Sequence, residues 1–174
     1  LLDQASQSAN PIEIAILMTQ ADQLSKKNGT KVSLDNKVAV QVLRCPALRN
    51  LGFNKIPLHS MEPVVDEINE RFGSAQHLPL STELCSNYIA MRIEEARLYQ
   101  NRQSLPDAVN LLNRASSEQA AFMAQGVSFK PVISLDFVDT FGSMGNAKDL
   151  EIYLQRPFSS YELSNFSTVC LKHG

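Results

Sequence analysis

The segment from Ser81 to Gln103 constrains the fold more than any other part of the chain. Leu84, Cys85, Tyr88, Ile89, Met91, Ile93, Ala96, Leu98 and Tyr99 recur at helical spacing and spread over more than half the helical wheel. A stripe that broad must be covered from more than one side, so the helix belongs inside the protein and not on its rim. Ser81 or Thr82 supplies the N-cap. Arg92 and Glu95 fall inside the apolar arc three residues apart, where they can neutralise one another as a structural ion pair. Glu94 and Glu95 are sequence neighbours, point in different directions on a helix, and so cannot act as a carboxylate pair. Ser104 caps a second helix with Pro106 and Asp107 in its first turn. Leu105, Ala108, Val109, Leu112, Ala115, Phe122 and Met123 form its apolar face, and Gly126 ends it. The short connection makes the two helices antiparallel neighbours, a helical hairpin expected to be the core of the body.

Upstream, Asn10 and Pro11 open another helix, with Asn10 as N-cap and proline in the first helical position, where its missing N–H costs nothing. Ile12, Ala15, Ile16, Thr19 and Leu24 follow at helical spacing, and Asn28-Gly29 ends it with a glycine free to turn left-handed. This helix is expected to pack on the body through its Ile/Leu face.

Residues 36–43 read differently. Val38, Val40 and Val42 alternate with Lys37, Ala39 and Gln41, the period-2 pattern of a half-buried strand, and valine's stiff side chain favours that conformation. A helix beginning at Asn36 is the alternative. Arg44-Cys45-Pro46 is expected to break the strand, and residues 46–52 to form a short helix. Residues 53–59 form a connection, and Ser60 caps a helix over 61–72 whose Met61, Val64, Val65, Ile68 and Phe72 share one face, stopped by Gly73. Strand, short helix, loop and capped helix give the outline of a ribbon-helix-helix element, in which two chains pair strands into a ribbon that enters the major groove. The fold class expected is therefore α+β and mainly helical. It comprises an N-terminal helix over 1–29, the ribbon-helix-helix-like element over 30–73, and a helical-hairpin body over 74–174. That body carries a small C-terminal β component, with a strand at 132–138, a turn at 141–146, a short helix or strand at 147–155 and weak helical character at 160–166.

Charge singles out the same N-terminal region. Between Gln23 and Ser60, seven bases (Lys26, Lys27, Lys31, Lys37, Arg44, Arg49 and Lys55) face one acid, Asp35, for a net +6, while the remainder of the chain carries −8. One compact basic segment in an otherwise acidic chain is the footprint of a phosphate-contacting surface, and a solvated basic face is the plainer alternative. On the ribbon, Lys37 and Gln41 point at the groove with Ala39 between them. Glutamine can grip adenine and lysine can reach guanine acceptors. Arg44, Arg49 and Lys55 are candidate phosphate contacts, as is Lys31, and the helix N-terminus at Ser60 offers free backbone N–H groups to another phosphate. If the strand is instead 30–35, the groove-facing pair becomes Lys31 and Ser33.

Other chemistries find little support in the residues. Gly142-Ser143-Met144-Gly145-Asn146-Ala147-Lys148 lacks the spacing and the Lys-Ser/Thr ending of a P-loop and reads as a glycine-permitted turn. His59, His77 and His173 never fall at metal-ligand spacing, no nucleophile motif is present, and neither metal, cofactor nor enzymatic activity is expected. Cys45, Cys85 and Cys170 are few and far apart, which favours reduced thiols in a cytoplasm over a disulfide frame. No apolar run approaches a membrane span, and no membrane partner is expected. The opening Leu1-Leu2-Asp3, without methionine, is expected to lie within a longer chain.

Residues Asn87-Tyr88-Ile89-Ala90-Met91-Arg92-Ile93-Glu94-Glu95-Ala96 resemble a motif of the AcaB-like regulators of conjugative plasmids and integrating conjugative elements. Lys130-Pro131-Val132-Ile133-Ser134-Leu135-Asp136-Phe137, with Phe141-Gly142 and Gly145, is similar to that family's C-terminal signature. The likeness runs over about 30–154, through short motifs. It implies a DNA-binding transcriptional regulator of transfer genes, expected here to activate them, working as a homodimer through a ribbon-helix-helix element. Operator DNA is the implied partner, with RNA polymerase or another regulator as a further one. The two motifs would then belong to the supporting body and not to DNA contact. Departures from a standard element are the short first helix, cut by Pro46 and Gly52, and the long 53–59 connection. The alternative function is a non-enzymatic interaction module of the conjugation apparatus whose basic segment docks an acidic protein.

Overall fold

A computed structural model of the chain describes residues 1–29, 31–73, 79, 81–128, 136, 139, 140 and 155. Six α-helices run in order: α1 (Leu2–Gln7), α2 (Pro11–Lys27), α3 (Leu34–Asn50), α4 (Lys55–Phe72), α5 (Thr82–Asn101) and α6 (Leu105–Ala124). Helix α3 is the hub, touching α1, α2, α4 and α5, while α5 and α6 pack along one another. None of the helices described is long and apolar enough to cross a membrane.

The hairpin forms as its pattern predicts. Ser81 caps α5 by accepting the Leu84 N–H at 3.0 Å, and Leu84, Cys85, Tyr88, Ile89, Met91, Ile93, Ala96 and Leu98 of the expected stripe are all buried. Helix α6 lays Ala108, Leu112, Ala115 and Phe122 against it. The rings of Tyr88 and Phe122 meet edge to face with centroids 6.4 Å apart, and the Tyr88 hydroxyl donates to Glu118 at 3.2 Å. Met123 departs from the expected face and is half exposed. Arg92 and Glu95 do form the ion pair that their spacing allows.

The expected β-ribbon is absent. Residues 36–43 lie wholly within α3, and the described residues contain no strand at all, so over them the mixed α+β expectation gives way to an all-helical arrangement. Local chemistry explains the outcome. Ser33, which would face the groove if the strand were instead 30–35, is the N-cap of α3, accepting the Asn36 N–H at 3.3 Å. Leu34, Val38, Gln41 and Cys45 then form the buried stripe. Their spacing is helical, but the polar member at Gln41 hides the period and leaves the Val38/Val40/Val42 alternation as the more visible pattern. Pro46 does not end the helix either. It withholds an N–H from the Val42 carbonyl, a loss the surrounding packing tolerates, and α3 runs on to Asn50. If Ser33 starts this helix, Ser33→Ala should lower stability by about 1 kcal/mol in urea titration. A 36–43 strand would be indifferent to it.

Ser60 is corrected as well. Helix α4 starts at Lys55 and carries both Pro57 and Pro63, so Ser60 sits inside it and its N–H does not belong to a free helix end. The expected face of α4 does form, with Met61, Val64 and Ile68 buried and Val65 and Phe72 half-buried. Gly73 stops the helix at φ +71, the left-handed conformation that glycine adopts without steric cost. Helix α2 keeps its expected cap, the Asn10 side chain accepting the Ile12 N–H at 3.0 Å, but its Ile/Leu face does not bury. Met18 is its buried residue, whereas Ile12, Ile16 and Leu24 are each about half exposed.

Of the expected C-terminal strand at 132–138, Asp136 has helical backbone and the other residues lie outside those described. The 141–146 turn, the 160–166 segment and, apart from residue 155, the 147–155 segment also lie outside them.

Candidate functional site

The basic segment folds into the end of α2, the link to α3, α3 itself and the start of α4, so its charges scatter over three helices. Several are consumed by acids from elsewhere in the chain. Lys26 pairs with Asp22 at 2.9 Å. Lys37 pairs with Glu67 on α4 at 2.5 Å, and this hydrogen bond, with Arg71 adding to it, holds the Glu67 carboxyl below its ordinary range. Arg49 reaches across to α5, where its Nε donates to Glu94 at 2.5 Å, and Glu94 is only 2% exposed. Arg97 flanks the same carboxylate at 3.6 Å and itself donates to Asp136 at 2.7 Å. Arg49 is thus part of an ionic chain that ties α3 to α5.

The proposed base readers fare similarly. Lys37 and Gln41 are one turn apart on α3 and both border the same cleft, but Gln41 is 7% exposed. Its Oε1 accepts the Ser60 hydroxyl at 2.8 Å and the Cys45 thiol at 3.3 Å. Gln41 and Ser60, expected to face DNA, therefore satisfy one another where α3 meets α4. Ala39 is half-buried on α3, and Lys31 and Lys55 are exposed. Cys45, within this polar knot, has its thiol pushed up to about 12 by burial, far too high for a reactive thiolate. Burial raises the Cys85 thiol too, and both cysteines are free.

What the fold does bring together is a cleft of about 820 Å³ between α2, α3 and α4. Lys26, Lys31, Lys37 and Arg44 border it against two carboxylates, Asp22 and Glu67. Its apolar wall includes Val40 from α3 with Ile56, Pro63 and Val64 from α4, and Gln41 and Ser60 also line it. Arg44 is the unusual member. Its Nε is buried without a hydrogen-bond partner, and among the described residues its guanidinium pairs with no carboxylate.

Charge pairing over the whole described chain is uneven. Outside the basic segment, Arg71, Arg92, Arg97 and Arg114 each hold a carboxylate, and only Arg102 does not, lying over the Tyr99 ring instead. Within the segment, Lys27, Lys31, Arg44 and Lys55 have no acid partner among the described residues. The sequence signalled the excess of cations but not which would remain uncompensated. Asp22 could have been matched to Lys26 from their helical spacing, whereas Glu67 and Glu94 meet their partners from 30 and 45 residues away. No protein-family model, curated protein or solved structure matches the chain.

Proposed function

We propose that the protein is a non-enzymatic, DNA-binding regulator of conjugative-transfer genes that holds duplex DNA through its phosphates, from a helical surface. The observation that carries this is that Lys27, Lys31, Arg44 and Lys55 have no acid partner among the described residues, while the described cations outside the basic segment, Arg102 apart, are paired. Free cations are the ones that gain from displacing condensed counterions on DNA, and ion-paired ones must first surrender a carboxylate. The class of gene follows from the resemblance of residues 87–96 to the AcaB-like regulators. Base reading by a ribbon has no place in this proposal, nor does a dimer joined through one.

Fluorescence anisotropy of a labelled promoter duplex at several salt concentrations tests it. Lys27→Ala/Lys31→Ala/Lys55→Ala should flatten the dependence of log K on log salt by about one for each phosphate no longer neutralised. It should also weaken binding to promoter and scrambled duplexes alike. If the wild-type chain binds neither duplex at low salt, DNA is not the partner. A basic surface docking an acidic protein is then the reading that remains.

A further inference from the structure

We propose that the cleft between α2, α3 and α4 binds a small amphipathic organic anion, a carboxylate or phosphate head on an apolar body. Its volume, about 820 Å³, lies within the range of sites for small molecules. Two of its four cations are already answered, Lys26 by Asp22 and Lys37 by Glu67. Lys31 and Arg44 are left to hold a ligand's negative charge. Arg44 is prepared for that role in a way a surface arginine is not. Its Nε has already lost its water and gained no partner, so part of the cost of drying the guanidinium is met before a ligand arrives. Turned into the cleft, the guanidinium would offer Nε and an Nη together, the fork that matches a planar carboxylate or a phosphate. Facing the charge, Val40, Ile56, Pro63 and Val64 give an apolar body somewhere to go, which neither a bare ion nor a duplex phosphate would use.

The site shares Lys31 and Arg44 with the DNA proposal but does not depend on it, since a chain that ignores every duplex can still bind the anion. The probes are 2-naphthoate and 2-naphthyl phosphate, with 2-naphthol and inorganic phosphate as the partial ligands, titrated into the full chain by calorimetry. At least one of the two naphthyl anions should bind about tenfold or more tighter than either partial ligand, because only it uses both halves of the cleft. The tighter of the two identifies the head. Arg44→Met should weaken that binding by about tenfold or more. Lys31→Gln, at an exposed position that cannot disturb the core, should weaken it several-fold and keeps the test decisive if Arg44→Met fails to fold. Equal affinity for 2-naphthol, unchanged affinity in the folded variants, or no saturable binding of either anion up to about 1 mM would overturn the proposal.

Discussion

Glu94→Ala is expected to lower folding stability by about 3–5 kcal/mol, the cost of breaking a buried ion pair from one side. Glu94 lies on α5 with its side chain 2% exposed, between Arg49 of α3 and Arg97 of its own helix. Its removal leaves the Arg49 guanidinium largely dried and without its carboxylate, and severs the polar tie between the hub helix and the hairpin. Arg97 suffers less, because it keeps Asp136 at 2.7 Å. That difference makes a rescue experiment informative. Removing both charges in Arg49→Met/Glu94→Met should recover much of the loss, since a buried pair replaced by apolar side chains is often neutral or better. Urea denaturation read by circular dichroism measures both variants. A Glu94→Ala change of under about 1 kcal/mol would mean that the pair is solvated and contributes like a surface salt bridge.

Phe122→Ala is expected to lower stability by about 3–5 kcal/mol, for an entirely apolar reason. Phe122 is fully buried on α6, and its ring closes the hairpin against Tyr88. Truncation loses the transfer free energy of the ring and leaves a cavity that two packed helices cannot collapse to fill. Phe53 provides the control, with the same residue type about half exposed in the turn between α3 and α4. Phe53→Ala should lie within about 0.5 kcal/mol of wild type. The urea midpoint should fall in Phe122→Ala with the slope preserved. Near-equal effects at the two phenylalanines would show that the packing of α5 on α6 is not the core of the fold.

Both positions show how far the sequence can be read. Phe122 was legible because Ala108, Leu112, Ala115 and Phe122 recur at helical spacing along α6. Glu94 was not. Beside Glu95 it looks like one of two ordinary helical acids, and its burial depends on Arg49, 45 residues away in sequence. The ribbon failed for a related reason. Three alternating valines carry a genuine preference for extended structure, but that preference is weak beside tertiary packing. Ser33 at the cap and the stripe Leu34, Val38, Gln41, Cys45 favour a helix once Ser60 is present to satisfy Gln41. Polar residues in a buried stripe break its visible period until their partners are known. The N-terminal helix failed in the opposite sense, its Ile12 and Ile16 marking an apolar face that the described helices leave half exposed.

By itself the sequence determined the elements whose signals are local. The caps at Asn10 and Ser81, the glycine stop at Gly73 and the apolar faces of α4 and α5 all depend on residues within a few turns of one another. It also determined that positive charge would gather between Gln23 and Ser60. Only the tertiary structure decided what those charges do. Coulomb energy depends on distance in space and on the dryness of the site, not on separation along the chain. Folding therefore spent Arg49 on Glu94 and Lys37 on Glu67, and left Arg44 half-desolvated and unpaired at a cleft that three helices assemble.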